Sequence, residues 1–242
     1  MPRARARRYY AADLAYIHAA GFSAHGRAAG RALAALLRRA GIRRGTIVEL
    51  GAGAGAATAA LAAAGHRVHA IDASPAMIGL ARRRVPGARF MVGRLPDVEL
   101  PPCDAIVAAG EVLNYMAGRG AFDRIFRRAF RALRPGGLLV FDVVEPGAAG
   151  AGTVRARVGA DWVVLAIARE DRARRRLERS IVSFRRVGRL YRRAHEIHRL
   201  TLLPARELVR RLRAAGFVAR TARRYGAFSL PARHAVLLAR KP

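Results

Sequence analysis

The sequence predicts an α/β protein built on a mostly parallel sheet with helices on both faces. Three observations carry that expectation. From Thr46 to Val144 short apolar strands alternate with helical stretches, and alternation of this length implies strand–helix–strand units and a parallel sheet. A glycine-rich turn, Gly51-Ala-Gly-Ala-Gly55, joins the first strand of the series to its first helix. Hydrophobic residues make up 52% of the 242 and aromatics 7%, which supplies a large core and excludes disorder throughout.

The elements follow in order. Residues 1–45 read as a helical cap. Leu14, Ile17 and His18 recur at helical spacing, and Ala28–Leu37 is rich in Ala, Leu and Arg, all strong helix formers. Gly21 and Gly26 are expected to separate the cap into a pair of helical segments, and Gly41 and Gly45 to close it. Residues 46–149 form the N-terminal portion of the core. Strands are expected at Thr46–Leu50, Val68–Ile71, Arg89–Val92, Asp104–Ala109 and Leu138–Val144. Helices are expected at Ala56–Ala64, Ala76–Arg84 and Phe122–Leu133. Ser74-Pro75 gives the second of these an N-cap and a proline at its first position. Residues 150–202 break the alternation. Strands at Trp162–Ala168, Leu177–Arg186 and Tyr191–Thr201 predict a small antiparallel insertion, with Trp162 expected to pack it onto the core. Residues 203–242 return to the core with a helix at Ala205–Ala215 and strands at Phe217–Thr221 and His234–Ala239.

Composition excludes several classes. No run reaches the roughly 18 apolar residues of a spanning helix, and no apolar stretch follows the basic residues 1–10 as a secretory signal requires. The single cysteine, Cys103, makes neither an internal disulfide nor a thiolate metal cluster. A cytoplasmic protein is expected. Charge is the unusual feature: 46 Lys+Arg against 16 Asp+Glu give +30, and Lys241 is the only lysine. Heavy use of Arg and Ala reads as a compositional bias, which accounts for the choice of cation but not for the scarcity of acids. Residues 122–242 hold 29 of the 46 cations. Such a field attracts polyanions, so nucleic acid stands as a candidate partner beside a plain solvated basic surface.

The glycine turn carries the first chemistry. Val48-Glu-Leu-Gly51-Ala-Gly53 lies at a strand end and opens a helix; glycines let the backbone turn sharply there, and the helix N-terminus offers free N–H groups. Asp72 ends the next strand, 21 residues after Gly51, where a carboxylate accepts hydrogen bonds from ribose hydroxyls. Together they indicate an adenosine-containing cofactor. Gly51-x-Gly53-x-x-Ala56 also satisfies the looser dinucleotide fingerprint, which leaves a nicotinamide cofactor and an oxidoreductase open.

Three further stretches narrow the reading: Glu49, two residues before the first glycine; Ile71-Asp-Ala-Ser-Pro-Ala-Met77; and Phe130-Arg-Ala-Leu-Arg-Pro-Gly-Gly-Leu-Leu-Val140. With these motifs the chain resembles the class I S-adenosylmethionine-dependent methyltransferases, strongly over residues 46–145. The resemblance implies a Rossmann-like, mostly parallel seven-stranded methyltransferase sheet with an N-terminal helical cap and a small antiparallel β insertion. It implies S-adenosyl-L-methionine as cofactor, with Glu49 near its ammonium group, Gly51, Ala52 and Gly53 along its methionine and ribose, and Asp72 on the ribose. Ala73, Met77, Arg94 and Leu95 would flank the adenine. Arg94 stands where the family often has an aspartate, so Asp97 or backbone carbonyls would take over recognition of the adenine amine. The insertion also resembles that of small-molecule methyltransferases, including sugar N,N-dimethyltransferases. N-terminal tyrosines cover the cofactor in related enzymes, which makes Tyr9, Tyr10 and Tyr16 lid candidates.

Methyl transfer needs alignment and exclusion of water more than covalent chemistry, and a base only when the nucleophile arrives protonated. Gly110-Glu-Val-Leu-Asn-Tyr115 follows the fourth strand at the ligand-binding edge of the sheet, so Gly110 is expected beside the cofactor and Glu111 and Tyr115 in catalytic roles; capping of the next helix is the alternative. Asp142 and Glu145 end the fifth strand at the same edge. His195 and His198 would face opposite sides of their strand, against a shared metal, while Glu196 and His198 would share a face, and His198 joins Glu111 and Tyr115 as a candidate catalytic residue. Tyr191, Glu196 and His198 are the side chains the insertion could offer an acceptor. His66 and His69 read as structural. The expected activity is methyl transfer to N or O of a small-molecule acceptor. An RNA or tRNA methyltransferase using the arginines of 172–193 is the main alternative, with a non-catalytic binding protein behind it.

Overall fold

The computed structural model describes residues 9–118, 120–149 and 151–242. Seven strands form the central sheet: β1 (Thr46–Leu50), β2 (Arg67–Asp72), β3 (Arg89–Val92), β4 (Cys103–Ala108), β5 (Leu133–Val144), β10 (Val218–Ala222) and β13 (His234–Arg240). Their order is β10-β13-β5-β4-β1-β2-β3. β1 runs parallel to β2 and β4, and β5 to β4, while β13 is antiparallel to both its neighbours. From β1 the chain winds outward through β2 to β3, then crosses back to β4. The order therefore reverses between β1 and β4, and ligands bind beyond the carboxyl ends of strands at such a switch.

Helices α2 (Ser23–Arg39), α3 (Ala56–Ala63), α4 (Pro75–Arg84), α5 (Ala121–Ala132) and α6 (Ala205–Ala214) accompany the sheet, with α1 (Ala12–Gly21) ahead of them. One core cluster packs Phe122, Phe126, Leu208 and Leu212 against Phe141, Leu139 and Leu237; another packs Leu33, Leu37 and Leu61 against Ile47, Val140 and Val236. The two groups of sheet residues alternate along their strands, as expected when helices cover both faces.

The cap departs from the sequence expectation at Gly26. The break falls at Phe22, and Gly26 lies inside α2. A Cβ at Gly26 would stand 2.9 Å from the Ala56 Cβ, and one at Gly30 2.7 Å from the Ala57 Cα. These glycines let α2 lie directly on α3, a packing requirement that local sequence signals as a helix break. β5 also starts earlier than expected, because Leu133 already pairs with Cys103 and the Pro135-Gly-Gly stretch runs within the strand.

The insertion is a four-stranded antiparallel sheet, β6 (Ala151–Val158), β7 (Trp162–Asp171), β8 (Arg176–Val187) and β9 (Leu190–Thr201), in that order. β6 adds to the strands expected from the sequence, as do the two-residue strands β11 (Arg224–Tyr225) and β12 (Phe228–Ser229). Trp162 packs with Leu14, Ile17 and Val164. It therefore pins the insertion to α1 and not to the main sheet. Ion pairs from the buried Asp13 to Arg185 (3.2 Å) and Arg192 (2.6 Å) reinforce that wall.

Candidate active site

A cavity of about 750 Å³ opens at the β1/β4 switch, inside the roughly 300–1,000 Å³ range of small-molecule sites. Its floor is the glycine turn. Gly51 has φ +72, and a side chain there would collide with Val112; Gly53 has φ +53, and a Cβ on it would meet nothing within 4 Å, so its backbone is open to a ligand. The half-buried Asp72 ties this turn to the exit of β2. Its carboxylate accepts N–H bonds from Gly53 and Ser74, both 2.8 Å. Burial raises its pKa, against the pull of those amides. Glu49 is 4% exposed and accepts the Thr58 hydroxyl. Burial pushes its carboxyl up to about 7.

Of the residues expected to bind cofactor, Tyr10, Glu49, Gly51, Ala52, Gly53, Asp72, Ala73, Met77, Arg94, Leu95 and Gly110 all line this cavity. Asp97 lines it as well. Tyr16 does not. Its hydroxyl donates to Asp161 at 2.8 Å, and the Arg185 guanidinium lies 3.7 Å over its ring, so it fastens α1 to the insertion. Helical phase decides this: Tyr10 precedes α1 and turns toward the cavity, whereas Tyr16 sits on the face of α1 that meets β7 and β8.

The three expected catalytic residues separate. Tyr115 lines the cavity, and Glu111 and His198 stand outside its wall. Glu111 is bound to His234 Nε2 at 2.7 Å and to Arg179 at 2.7 Å. Burial would raise its pKa, but His234 and Arg179 outweigh it and hold the carboxyl below the ordinary range. Glu111 therefore joins β8 to β13 rather than facing an acceptor. Asp142 has a supporting role at this edge: it accepts N–H bonds from Gly110 (2.8 Å) and Glu111 (3.0 Å) and the Tyr225 hydroxyl (2.7 Å). Glu145 caps α6 by accepting the Ala205 N–H at 2.7 Å.

His198 is fully buried directly behind Tyr115. The Tyr115 hydroxyl lies 3.1 Å from its Nδ1, and its Nε2 lies 2.9 Å from Glu196 Oε2. An ionised carboxylate only accepts, so Glu196 fixes the proton on Nε2 and leaves Nδ1 to accept from Tyr115. Glu196 also accepts the N–H groups of Tyr10 (2.7 Å) and Ala11 (2.9 Å). The Tyr10 carbonyl in turn accepts the Ser74 hydroxyl at 2.7 Å, and its phenol stands 3.5 Å from that of Tyr115. Tyr10, at φ 54, thus links the segment around Asp72 and the glycine turn to the insertion. His195 faces the other way, at 2.8 Å from Ser180, and Tyr191 is 58% exposed, away from the site.

Sequence reasoning left His18 conditional on the cap acting as a lid and missed other wall residues altogether. His18 lines the cavity, stacked on Phe22, and burial pulls its pKa down to about 4. Tyr225 and Phe228 close the cavity from the β11–β12 hairpin. No local pattern in Arg224-Tyr-Gly-Ala-Phe228 announces that role, since it arises from where the hairpin folds back.

The sheet order, the antiparallel strand β13 and the cavity at the switch point are those of the Rossmann-like methyltransferase fold. Residues 47–137 match the family described as "Methyltransferase domain". Among curated proteins the chain is similar to the putative methyltransferase YqeM of Bacillus subtilis (strain 168), 31% identical over 105 residues. That match covers 41% of this chain and 42% of the relative, so the chain spans about two fifths of the relative's length. Among solved structures it resembles an S-adenosylmethionine-dependent methyltransferase from Clostridium acetobutylicum: TM-score 0.80, 14% identity, 95% of this chain and 98% of the other. It also resembles the sugar N-methyltransferase KedS8 from Streptoalloteichus sp, with TM-score 0.77, 22% identity, 100% of this chain and 98% of that one. No helix among the described residues is long and apolar enough to cross a membrane.

Proposed function

We propose that the chain transfers a methyl group from S-adenosylmethionine to a nitrogen or oxygen of a small-molecule acceptor. One observation carries this reading: a single cavity joins the Gly51–Gly53 turn and Asp72 to the Tyr115–His198–Glu196 relay. The open backbone at Gly53, the Asp72 carboxylate and the apolar walls at Met77 and Leu95 fit an adenosyl group, and Glu49 fits an ammonium group. When bound, the cofactor supplies an electrophilic methyl on its sulfonium. The protein holds the acceptor against Tyr115 and takes up its proton. As the acceptor's N–H or O–H proton passes to the Tyr115 oxygen, the phenolic proton passes to His198 Nδ1. The resulting imidazolium is stabilised by Glu196 at 2.9 Å. Tyr115 itself stays neutral at either end of the transfer, consistent with the burial that holds its pKa well above the ordinary value.

The enclosed site favours a small acceptor over RNA. Arg174, Arg175, Arg179, Arg185 and Arg192 each pair with a carboxylate, so residues 172–193 do not present one uninterrupted unpaired basic face. The structural likeness to a sugar N-methyltransferase makes amino sugars a sensible first acceptor class. Incubation with S-adenosylmethionine and a panel of amino and hydroxy compounds, amino sugars included, should release S-adenosylhomocysteine with acceptor-dependent kinetics. Turnover on structured RNA alone, with none on the panel, would overturn the proposal.

A further inference from the structure

A second cavity, of about 320 Å³, lies between the main sheet and the insertion, lined by Pro146, Gly147, Glu170, Arg172, Arg175 and Arg233. Three arginines line it from two separate loops, the β7–β8 turn and the approach to β13. Like charges brought together at one place repel, and neutralising carboxylates are scarce. Glu170 spends its carboxylate on the Gly147 N–H, at 2.8 and 3.0 Å from its two oxygens, and on the Ala149 N–H at 3.4 Å. Arg175 shares Glu207 at 3.1 Å with Arg211. Arg172 and Arg233 meet no carboxylate among the described residues.

The backbone is organised around the same spot. Four described non-glycine residues have positive φ, and two of them are Arg175 (φ 49) and Arg233 (φ 59). Both are pinned by main-chain hydrogen bonds to the core: the Arg175 carbonyl accepts the Leu202 N–H at 2.7 Å, and the Arg233 carbonyl accepts the Glu145 N–H at 2.8 Å. Left-handed backbone at non-glycine residues persists only where the surroundings enforce it, and it clusters at binding sites. Arg176, the next residue after Arg175, lines the main cavity. The turn before β8 borders one cavity and the first residue of β8 the other.

We infer that this second cavity is an oxyanion site for the phosphate or diphosphate of a small molecule, held by Arg172, Arg175 and Arg233. Guanidinium groups match phosphate oxygens in charge and in forked geometry. The inference does not depend on methyl transfer, because anion binding is read without turnover.

The test is calorimetric titration of inorganic phosphate, of pyrophosphate and of a short RNA at physiological salt. It compares the wild-type chain with the double variant Arg172→Ala/Arg233→Asn; asparagine tolerates the left-handed backbone at 233. A charge-matched control, Arg127→Ala/Arg131→Ala, removes two exposed cations from α5. Pyrophosphate affinity should fall about tenfold or more in the cavity variant and change less than about twofold in the control. Melting temperatures with and without S-adenosylhomocysteine verify that both variants fold. Phosphate binding as tightly as pyrophosphate identifies a monophosphate ligand, and a clear preference for pyrophosphate identifies a diphosphate. Equal losses in the two variants would mean that only the general basic field binds, and the site would be refuted. RNA binding that depends on Arg172 and Arg233 while pyrophosphate does not bind would refute the small-molecule assignment.

Discussion

Glu49→Gln isolates the energetics of the cavity floor. In the free protein the Glu49 carboxyl, 4% exposed, is pushed from the ordinary 4.5 up to about 7 by burial. An acid whose folded pKa is raised costs nothing below its unfolded pKa, where both states hold the proton. As pH rises from 4.5 the unfolded chain ionises first, so stability falls until the folded group ionises near 7, and the cost is constant above that. The difference between 4.5 and about 7 corresponds to about 3 kcal/mol. Glutamine keeps an oxygen to accept the Thr58 hydroxyl but does not titrate. The variant should match the wild-type chain at pH 4.5 and exceed it at pH 8 by up to about 3 kcal/mol, a melting-temperature gain of roughly 6–12 °C for a chain of this size. Thermal melts across pH 4.5–8 measure this, with both chains carrying the same background charge otherwise. The gain in fold stability should be matched by weaker cofactor binding, since glutamine offers no charge to an ammonium group. A pH-independent difference between the two chains would refute the account of Glu49 as a strained, cofactor-ready carboxylate.

Other perturbations bear on the remaining features of the site. Asp72→Ala should weaken S-adenosylhomocysteine binding by roughly 1–3 kcal/mol, because ribose hydroxyls and the Gly53 and Ser74 amides lose their acceptor; calorimetry showing unchanged affinity would exclude Asp72 from the cofactor site. Tyr115→Phe and His198→Ala should each lower kcat by roughly 10²–10⁴ with cofactor affinity within about tenfold, and a wild-type kcat in folded Tyr115→Phe would rule out the relay. Arg179→Ala should destabilise the fold by roughly 1–3 kcal/mol, because the part-buried Glu111 carboxylate loses one partner and keeps only His234; denaturant unfolding measures it. Generic RNA should bind weakly and lose affinity steeply with salt, whereas tight, sequence-dependent binding at physiological salt would reopen the nucleic-acid reading.

The core was legible because its signals are local. A strand, a glycine turn, a helix and a carboxylate at the end of the next strand constrain one another over a short stretch of chain, Thr46 to Asp72, and the β1–β2 segment sits in the structure as that spacing requires. Glu49, Gly51, Gly53 and Asp72 reach one cavity because parallel strands place their carboxyl ends side by side. Tyr115 was reachable for the same reason, as it follows the neighbouring strand β4. Glu196 and His198 could be placed on one face of a strand by period two alone, though not against any partner.

Tertiary structure decided what those residues meet. His198 touches Tyr115 across 83 positions of sequence and Tyr10 touches Glu196 across 186, separations at which no periodicity carries information. Glu111 and Tyr115 are equivalent candidates by position in the chain. Only the folded insertion, which brings Arg179 to one and His198 to the other, makes Glu111 a strut and Tyr115 a cavity wall. Tyr10 and Tyr16 are likewise equivalent as aromatics near a terminus until the packing of α1 on Trp162 turns one inward and the other toward Asp161. The sequence by itself determined the sheet and the glycine turn at its switch point, because these rest on propensity and spacing within single strand–helix units. Which side chains face the cavity depended on contacts between the cap, the insertion and the sheet, and such contacts exist only once the chain has closed on itself.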